Sequence, residues 1–463
     1  MREAAIVLAA GAGTRMKSKK PKVLHEILGR PLVMWPIAAL AEAGVDEVTV
    51  VVGPDDAAAK EAVSGAAHVA IQQEKLGTGD AAKAAMATEE LKGFEGSVVV
   101  VYGDCPLITA DTIRSLMDAR AREDAGCVVL TFRAEDPFGY GRIVREDSFT
   151  EASPSGEVVA IVEQKDADEA HAAITECNSG FYCFDAAALR DALARITNDN
   201  AQGEYYLTDA IALLREDGRK VVALETARVE DCFGVNSRVQ LAEAARIMQQ
   251  RINRAHMEAG VTMLEPDLVW IGPDVTLARD VEILQNVTLM GNTRIGEDSL
   301  IGPDSRLTDT VVGAGCTVDE TVAVEAQLDD GATAGPRAYL RPGAHLCAGA
   351  KAGTHVEIKK SIIGAGSKVP HLSYIGDATV GTGVNIGAGS ITCNYDGAMK
   401  HATTIGDGAF IGSDTMMVAP VAIGRDVTVG AGSVITKDVP DEALAVARAR
   451  ESIYEGWTPR HRK

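Results

Sequence analysis

Aromatic side chains are scarce in this chain: phenylalanine, tyrosine and tryptophan together make up 4% of 463 residues. Cores built from so few large rings are expected to be thin and aliphatic. Positive charge is short as well, with 45 Lys and Arg against 66 Asp and Glu, a formal balance of -21. That balance argues against a broad basic surface for nucleic acid or anionic membrane, so any phosphate site has to be a local exception. The chain has no apolar run of the length that spans a bilayer, and its start lacks the charged, apolar and cleavage regions of a signal peptide; a cytoplasmic location is expected. None of the eight cysteines forms a C-x-x-C pair. This leaves no zinc-knuckle or redox motif and predicts reduced, mostly buried thiols.

What is plentiful is glycine, 46 residues. The stretch "LAAGAGTRM", residues 8 to 16, places Gly11, Gly13 and Arg15 directly after the apolar run "AAIVLAA". Met16 stands where a dinucleotide-binding turn needs its third glycine, and the spacing fails for a P-loop too. Further runs, "EVTVVVG" at 47 to 53 and "SVVVVYGD" at 97 to 104, are apolar at consecutive positions. Such strands suit a parallel sheet covered on both faces, so residues 1–238 are expected to form a doubly wound, Rossmann-like α/β domain with its ligands at the strands' carboxyl ends.

Residues 239–259 read as a linker helix, with Leu241, Ala245, Met248, Ile252, Ala255 and Ala259 at steps of three and four. Beyond it the period becomes six. Ile271, Leu277, Ile283, Leu289, Ile295, Ile301 and Leu307 form one run; Ile405, Ile411, Met417, Ile423, Val429 and Ile435 form another. Six residues make a short strand and a turn, so only stacked neighbours can close a core, and residues 260–463 are expected to form a parallel β-helix of hexapeptide repeats. The stretch 391 to 404, "ITCNYDGAMKHATT", breaks the period, as a functional excursion would.

The order of motifs carries a resemblance. "LAAGAGTRM", "PKVLHEILGRP", "QQEKLGTGDA", "VYGDCPL", "GYGRIV", "IVEQKDA", "NSGFY", "NAQGEYYLTD" and "GVN" are followed by "YLRPGAHL", "EIKKS", "SKVPHLSYIGD", "NIGAGSITCNYDG" and "GSDTMMVAPV". Together they resemble the bacterial bifunctional N-acetylglucosamine-1-phosphate uridyltransferases and glucosamine-1-phosphate acetyltransferases, over residues 4 to 458. The resemblance implies a left-handed β-helix. It implies acetyl transfer from acetyl-coenzyme A to glucosamine-1-phosphate, then uridylyl transfer from UTP to N-acetylglucosamine-1-phosphate with release of pyrophosphate, feeding peptidoglycan and lipopolysaccharide precursors. A homotrimer is expected, because the flat faces of a triangular prism suit three-fold packing.

Nucleotidyl transfer brings two anions together, so cations and a metal are needed. Arg15 and Lys22, in the cluster "RMKSKKPK", are the expected cations. Asp104 ends a strand of valines and reads either as a magnesium ligand or as the cap of the helix after Pro106. The resemblance assigns a second Mg2+ contact to Asn236. It assigns nucleotide and sugar contacts to Leu8, Ala9, Ala10, Gly11, Gln72, Gly77, Thr78, Tyr102, Gly103, Gly141, Glu163 and Asn178. Asp80 stands where that family usually has histidine.

Acetyl transfer to an amine needs a base, and histidine titrates near working pH. Among nine histidines, His371 lies in the segment "SKVPHLSYIGD", which interrupts the rhythm and resembles the catalytic segment of the family. Glu357 is expected to orient it. The resemblance implies that Arg341, Lys359, Tyr374, Asn385 and Asn394 hold the sugar phosphate, and that Ala388, Tyr395, Ser413, Ala431 and Arg448 line the acetyl-coenzyme A site. Thr354-His355 replaces an Asn-Phe pair common in the family. Two other readings are a β-helix that is only a structural appendage on a nucleotidyltransferase, and a non-enzymatic regulator of the same architecture. The first conflicts with His371, Asn394 and Tyr395 standing in family context, the second with Arg15, Lys22, Asp104 and Asn236 standing together.

Overall fold

A computed structural model describes residues 2–11, 13–151 and 155–461. The chain divides into two compact units, Met1–Met248 and Gln249–Lys463.

The first unit is built on a sheet of nine strands: β1 Glu3–Leu8, β2 Glu47–Val52, β3 His68–Ile71, β4 Ser97–Tyr102, β5 Cys127–Arg133, β6 Arg142–Arg145, β7 Val158–Val162, β8 Glu176–Asp185 and β9 Val221–Glu225. Their order is β9-β5-β8-β4-β1-β2-β3, with the β6–β7 hairpin joined to β8. The consecutive apolar runs do form parallel strands buried on both sides: Ile6, Val50, Val51, Val99 and Val100 are all at 0% exposure. Helices α1 Met34–Glu42, α2 Thr78–Met86 and α3 Ala110–Glu123 belong to the layers that cover them.

The sheet is mixed rather than wholly parallel, because β8 runs antiparallel to both β4 and β5. The start of β8 therefore lies beside the carboxyl end of β4. The register slips between Asn178 and Tyr182, and Gly180 within the slip has φ +82°. A Cβ there would come within 2.3 Å of the Tyr102 ring, so glycine allows strand and ring to pack.

Helix α4 spans Arg238–Glu258, and the division between units falls inside it. Its stripe differs from the expected one: Ala255 and Ala259 are exposed, whereas Gln249 and Asn253 are buried. Gln249 Nε2 donates to the carbonyl oxygens of Asp267 (3.0 Å) and Val269 (2.8 Å), and Asn253 Nδ2 to those of Pro266 (2.8 Å) and Val269 (2.9 Å). These amides satisfy loop carbonyls that would otherwise be buried unpaired, a role that an apolar pattern does not reveal.

In the second unit, strands pair in parallel with the strand three further along the chain, except that Thr428–Val429 pairs with Leu444–Ala445 two further along, giving three sheets of 11, 10 and 9 strands. This is the left-handed hexapeptide β-helix. Aliphatic residues stack one per coil: Ile271 on Leu289 on Leu307, and Met417 on Ile435. A coil closes in 18 residues from Trp270 to Thr288 and again to Arg306, but in 16 to Val322 and 17 to Tyr339. The shortened coils explain why the period of six fades after Leu307. One coil, from Ile391 to Met416, takes 25 residues and contains the excursion at 394 to 401.

All eight cysteines are free, six of them buried. Among the described residues no helix is long and apolar enough to cross a membrane.

Candidate functional sites

In the first unit the loops after β1 and β4 meet. The amide of Gly103 donates to the carbonyl oxygen of Leu8 (2.9 Å), and that of Val235 to Asp104 (2.8 Å), which brings "GVN" to the mouth of β4. Lys22 closes the group. Its Nζ makes an ion pair with Asp104 Oδ2 and donates to Asn236 Oδ1 at 3.0 Å. The side chains of Lys22 and Asp104 are mostly buried, 11% and 15% exposed, so the pair is held with little solvent screening. Gly13 has φ +58°, and a Cβ on it would lie 2.7 Å from Lys22 Cβ. The glycine-rich loop can therefore lie against the stem of Lys22. Asp104 carries no cap: α3 starts after Thr109, whose side chain accepts from the Thr112 amide.

A cleft of about 370 Å³ opens beside this group. Leu8, Ala9, Ala10, Gly11, Lys22, Gln72, Gly77, Thr78, Tyr102 and Asp104 line it, all of them expected from the sequence, along with Val23, Lys75, Ala81 and Glu204, which were not. Gly77 has φ +111°, and a Cβ there would meet the Tyr205 carbonyl at 2.5 Å. Gln72 is buried and fixed from two sides: Nε2 donates to the Gly77 carbonyl (3.0 Å) and to Asp80 Oδ2 (2.8 Å). The unusual Asp80 thus sets the orientation of the Gln72 amide. Burial raises the pKa of the Tyr102 phenol.

Gly141, Glu163 and Asn178 form a neighbouring group. The Asn178 amide donates to the Gly141 carbonyl (2.9 Å), Asn178 Nδ2 to Tyr182 Oη (2.7 Å), and Thr208 Oγ1 to Glu163 Oε1 (3.2 Å). Burial, opposed by that hydroxyl, raises the pKa of Glu163. Arg15 lies apart in the 3₁₀ turn Thr14–Met16, exposed, and makes no hydrogen bond or ion pair among the described residues.

In the second unit, one edge of the prism gathers residues far apart in sequence. The amide of Leu372 donates to the Thr354 carbonyl (3.0 Å), Gly389 to His371 (3.4 Å), Asp414 to Ala388 (2.7 Å) and Gly432 to Ser413 (2.9 Å). Thr354, His371, Ala388 and Ser413 therefore occupy one position in successive coils, and Ala431, the residue before Gly432, continues the line. Each coil advances roughly 4.8 Å. The corners that follow have positive φ at His355, Leu372, Gly389, Asp414 and Gly432. His371 is exposed, and Arg448 reaches to within 4.0 Å of a Cβ placed on Gly432.

The face after that edge is polar. Asn394 Nδ2 donates to Asp377 Oδ2 (2.6 Å) and to Tyr374 Oη (3.4 Å). Lys359 has its pKa lowered, chiefly by the adjoining Lys400 ammonium, with Arg341 adding to the effect. Three cations so placed, against the carboxylates of Asp377 and Glu357, leave a net positive charge that attracts a dianion. Lys400 and Asp377 were not among the expected residues; the broken period at 391 to 404 was the signal for Lys400. The excursion folds around Asp396, which accepts from the amides of Ala398 (2.8 Å) and Met399 (2.7 Å) and binds His401 Nε2 (2.7 Å). These contacts depress the pKa of Asp396. Tyr395 is exposed, and Asn385 sits on the strand next to Lys368.

One expectation needs correction. Glu357 does not orient His371, since its Oε1 accepts from Arg341 Nη1 at 2.7 Å and no hydrogen bond joins it to His371 among the described residues. The two lie on different parts of the coil: Glu357 pairs in register with Tyr374, and His371 with Thr354. The hydrogen bond to Glu357 also raises the pKa of Arg341.

The fold and the residues gathered on it define a two-headed transferase, a nucleotidyltransferase joined to a hexapeptide-repeat acyltransferase. Residues 5–208 match the MobA-like NTP transferase domain, and residues 402–437 match the bacterial transferase hexapeptide of six repeats. The bifunctional protein GlmU of Heliobacterium modesticaldum is 48% identical over 99% of this chain and 98% of its own length. That of Streptomyces avermitilis is 48% identical over 99% and 94%, and that of Brevibacillus brevis 46% over 96% and 95%. The chain belongs to the GlmU family of bifunctional enzymes.

Proposed function

We propose that the second unit transfers acetyl from acetyl-coenzyme A to the amine of glucosamine-1-phosphate. The first then transfers uridylyl from UTP to N-acetylglucosamine-1-phosphate, forming UDP-N-acetylglucosamine and pyrophosphate. The observation that carries this reading is the presence in one chain of two separate cationic centres, Lys22 at Asp104 and Asn236, and Lys359 with Lys400 and Arg341. Each suits a phosphate, and the second lies on the unit that carries the exposed His371.

In the first unit, Leu8 to Gly11 and the Gly77–Thr78 turn hold the nucleotide, with Gln72 fixed toward its base. Asp104 and Asn236 offer a carboxylate and a carboxamide oxygen, hard donors that suit Mg2+ among divalent cations. When bound, the metal supplies charge that offsets repulsion between the meeting phosphates. Lys22, which pairs with the same two oxygens when no metal is bound, would be released to a phosphate oxygen and do so from the protein side, and Arg15 is free to swing onto the outer phosphates. Gly141, Glu163 and Asn178 hold the sugar, Glu163 as a hydrogen-bond acceptor.

In the second unit, Arg341, Lys359 and Lys400 hold the phosphate of glucosamine-1-phosphate, and Tyr374, Asn385 and Asn394 hold the sugar. The acetyl-coenzyme A arm lies along the edge of Ala388, Ser413, Ala431 and Arg448, with Tyr395 flanking it, so that its thioester end meets His371. His371 removes a proton from the attacking nitrogen as the thioester opens and the thiol leaves. The prism works as a homotrimer, in which exposed Leu372, Tyr395 and Met399 meet a neighbouring copy, and the enzyme is cytoplasmic. Supplying glucosamine-1-phosphate, acetyl-coenzyme A, UTP and Mg2+ should yield UDP-N-acetylglucosamine by mass; no product from folded protein would refute the proposal.

A further inference from the structure

We propose that Asp329, His345 and Cys347 form a zinc site on the outer surface of the β-helix, with three protein ligands and water as the fourth. Their ligand atoms lie within 4.8 Å of one another. His345 Nε2 stands 2.9 Å from Asp329 Oδ2. Bonds of about 2.0–2.3 Å to a tetrahedral zinc ion put its ligands roughly 3.3–3.8 Å apart, within reach by side-chain rotation alone.

The β-helix register produces this convergence. Leu328 stacks on Leu346 in the interior. The residues on either side of each point outward, so Asp329 lies opposite Cys347, and His345, two residues before Cys347, shares its face. The coils above and below carry Gly313 and Gly364 in line with Asp329 and Cys347, since Val312 pairs with Leu328 and Leu346 with Ile363. A Cβ on either glycine would strike the next coil, at 2.5 Å and 2.2 Å. The glycines also leave the Asp329–Cys347 pair without a covering side chain, which keeps a coordination position open to water.

Two further observations separate this group from an ordinary surface pair. His171–Asp168 and His401–Asp396 are histidine–aspartate contacts of 2.6 and 2.7 Å, but among the described residues only the Asp329–His345 pair gains a third donor of metal-ligating type. The remaining carboxylate oxygen is also engaged: Gln327 Nε2 donates to Asp329 Oδ1 at 2.8 Å, leaving Oδ2 directed at the other two ligands. Such an outer hydrogen bond orients a ligating carboxylate. A mixed sulfur, nitrogen and oxygen set favours zinc over magnesium or calcium. None of these residues belongs to either transferase site.

The test uses the full-length chain, reduced and stripped with chelator, with Co2+ as an optical probe. One equivalent should produce a thiolate-to-cobalt charge-transfer band and the intense visible bands of a four-coordinate ion. Zn2+ should displace it, and excess Mg2+ should not. Gln327→Leu, which leaves the three ligands in place, should weaken binding about 10- to 100-fold; Cys347→Ser should remove the charge-transfer band, and His345→Gln should weaken binding more than Gln327→Leu does. Both transferase activities should persist in all three variants. The proposal is overturned if the wild-type chain shows no thiolate band at one equivalent, if the band survives Cys347→Ser, or if Gln327→Leu binds as tightly as the wild type.

Discussion

Lys22 donates to Asn236 Oδ1 at 3.0 Å while its ammonium also pairs with the Asp104 carboxylate, so residues from three distant parts of the chain share one proton-rich centre. Replacing Asp104 with Asn keeps the shape and removes the charge. Uridylyl transfer should fall by about 100- to 1,000-fold, the scale set by losing one electrostatic stabiliser, while acetyl transfer is unchanged. Separate assays of each half-reaction check this, and equal loss of both in folded protein would contradict it.

The loop before Lys22 offers a steric test. Gly13→Ala adds a Cβ 2.7 Å from Lys22 Cβ, at a φ of +58° that alanine adopts only at a cost. A strained position of this kind costs about 1–3 kcal/mol. Thermal unfolding of the first unit should drop accordingly, and the KM for UTP should rise as Lys22 is displaced; an unchanged melting curve would show that the loop accommodates the methyl group.

Because Glu357 engages Arg341 rather than His371, the two residues should have different kinetic signatures. Losing a general base costs about 100- to 10,000-fold, so His371→Ala should collapse kcat for acetyl transfer. Glu357→Gln should instead raise the KM for glucosamine-1-phosphate, with the pH profile of kcat unaltered. A shifted pH profile in Glu357→Gln would restore the orienting role that the sequence suggested.

The cationic face predicts a pH effect. The Lys400 ammonium lowers the pKa of Lys359, and a bound phosphate dianion raises it again. Affinity for the sugar phosphate should therefore hold above the second pKa of the phosphate, about 6, and fall as pH rises through the free-state pKa of Lys359. Lys400→Met should weaken binding and move the fall to higher pH. Titrations with N-acetylglucosamine-1-phosphate, which has no amine of its own, isolate the effect once the first unit is saturated with UDP-N-acetylglucosamine; an unmoved fall would exclude Lys359 as its source.

Much of the architecture is legible in the sequence because burial leaves periodic traces. The valine runs of β2 and β4 and the six-residue spacing from Ile271 to Leu307 each correspond to side chains that must be covered. The antiparallel β8 left no such trace, since a strand buried on both faces reads alike in either direction. Gln249 and Asn253 were also invisible, because their burial depends on loop carbonyls they reach only after folding. Most of the cleft was read from motifs, whereas Lys400, Asp80's hold on Gln72 and the Arg341–Glu357 pair are matters of geometry. The Asp329, His345 and Cys347 group follows the same rule, as it arises from stacking of coils and not from a C-x-x-C spacing.

The most direct test of two independent sites working in series is complementation between two disabled chains. Asp104→Asn and His371→Ala are each supplied with glucosamine-1-phosphate, acetyl-coenzyme A, UTP and Mg2+, alone and mixed, and products are followed by mass. The account predicts N-acetylglucosamine-1-phosphate from the first, almost no product from the second, and UDP-N-acetylglucosamine once they are mixed, because the intermediate diffuses between them. A mixture of folded variants that makes no UDP-N-acetylglucosamine would contradict it.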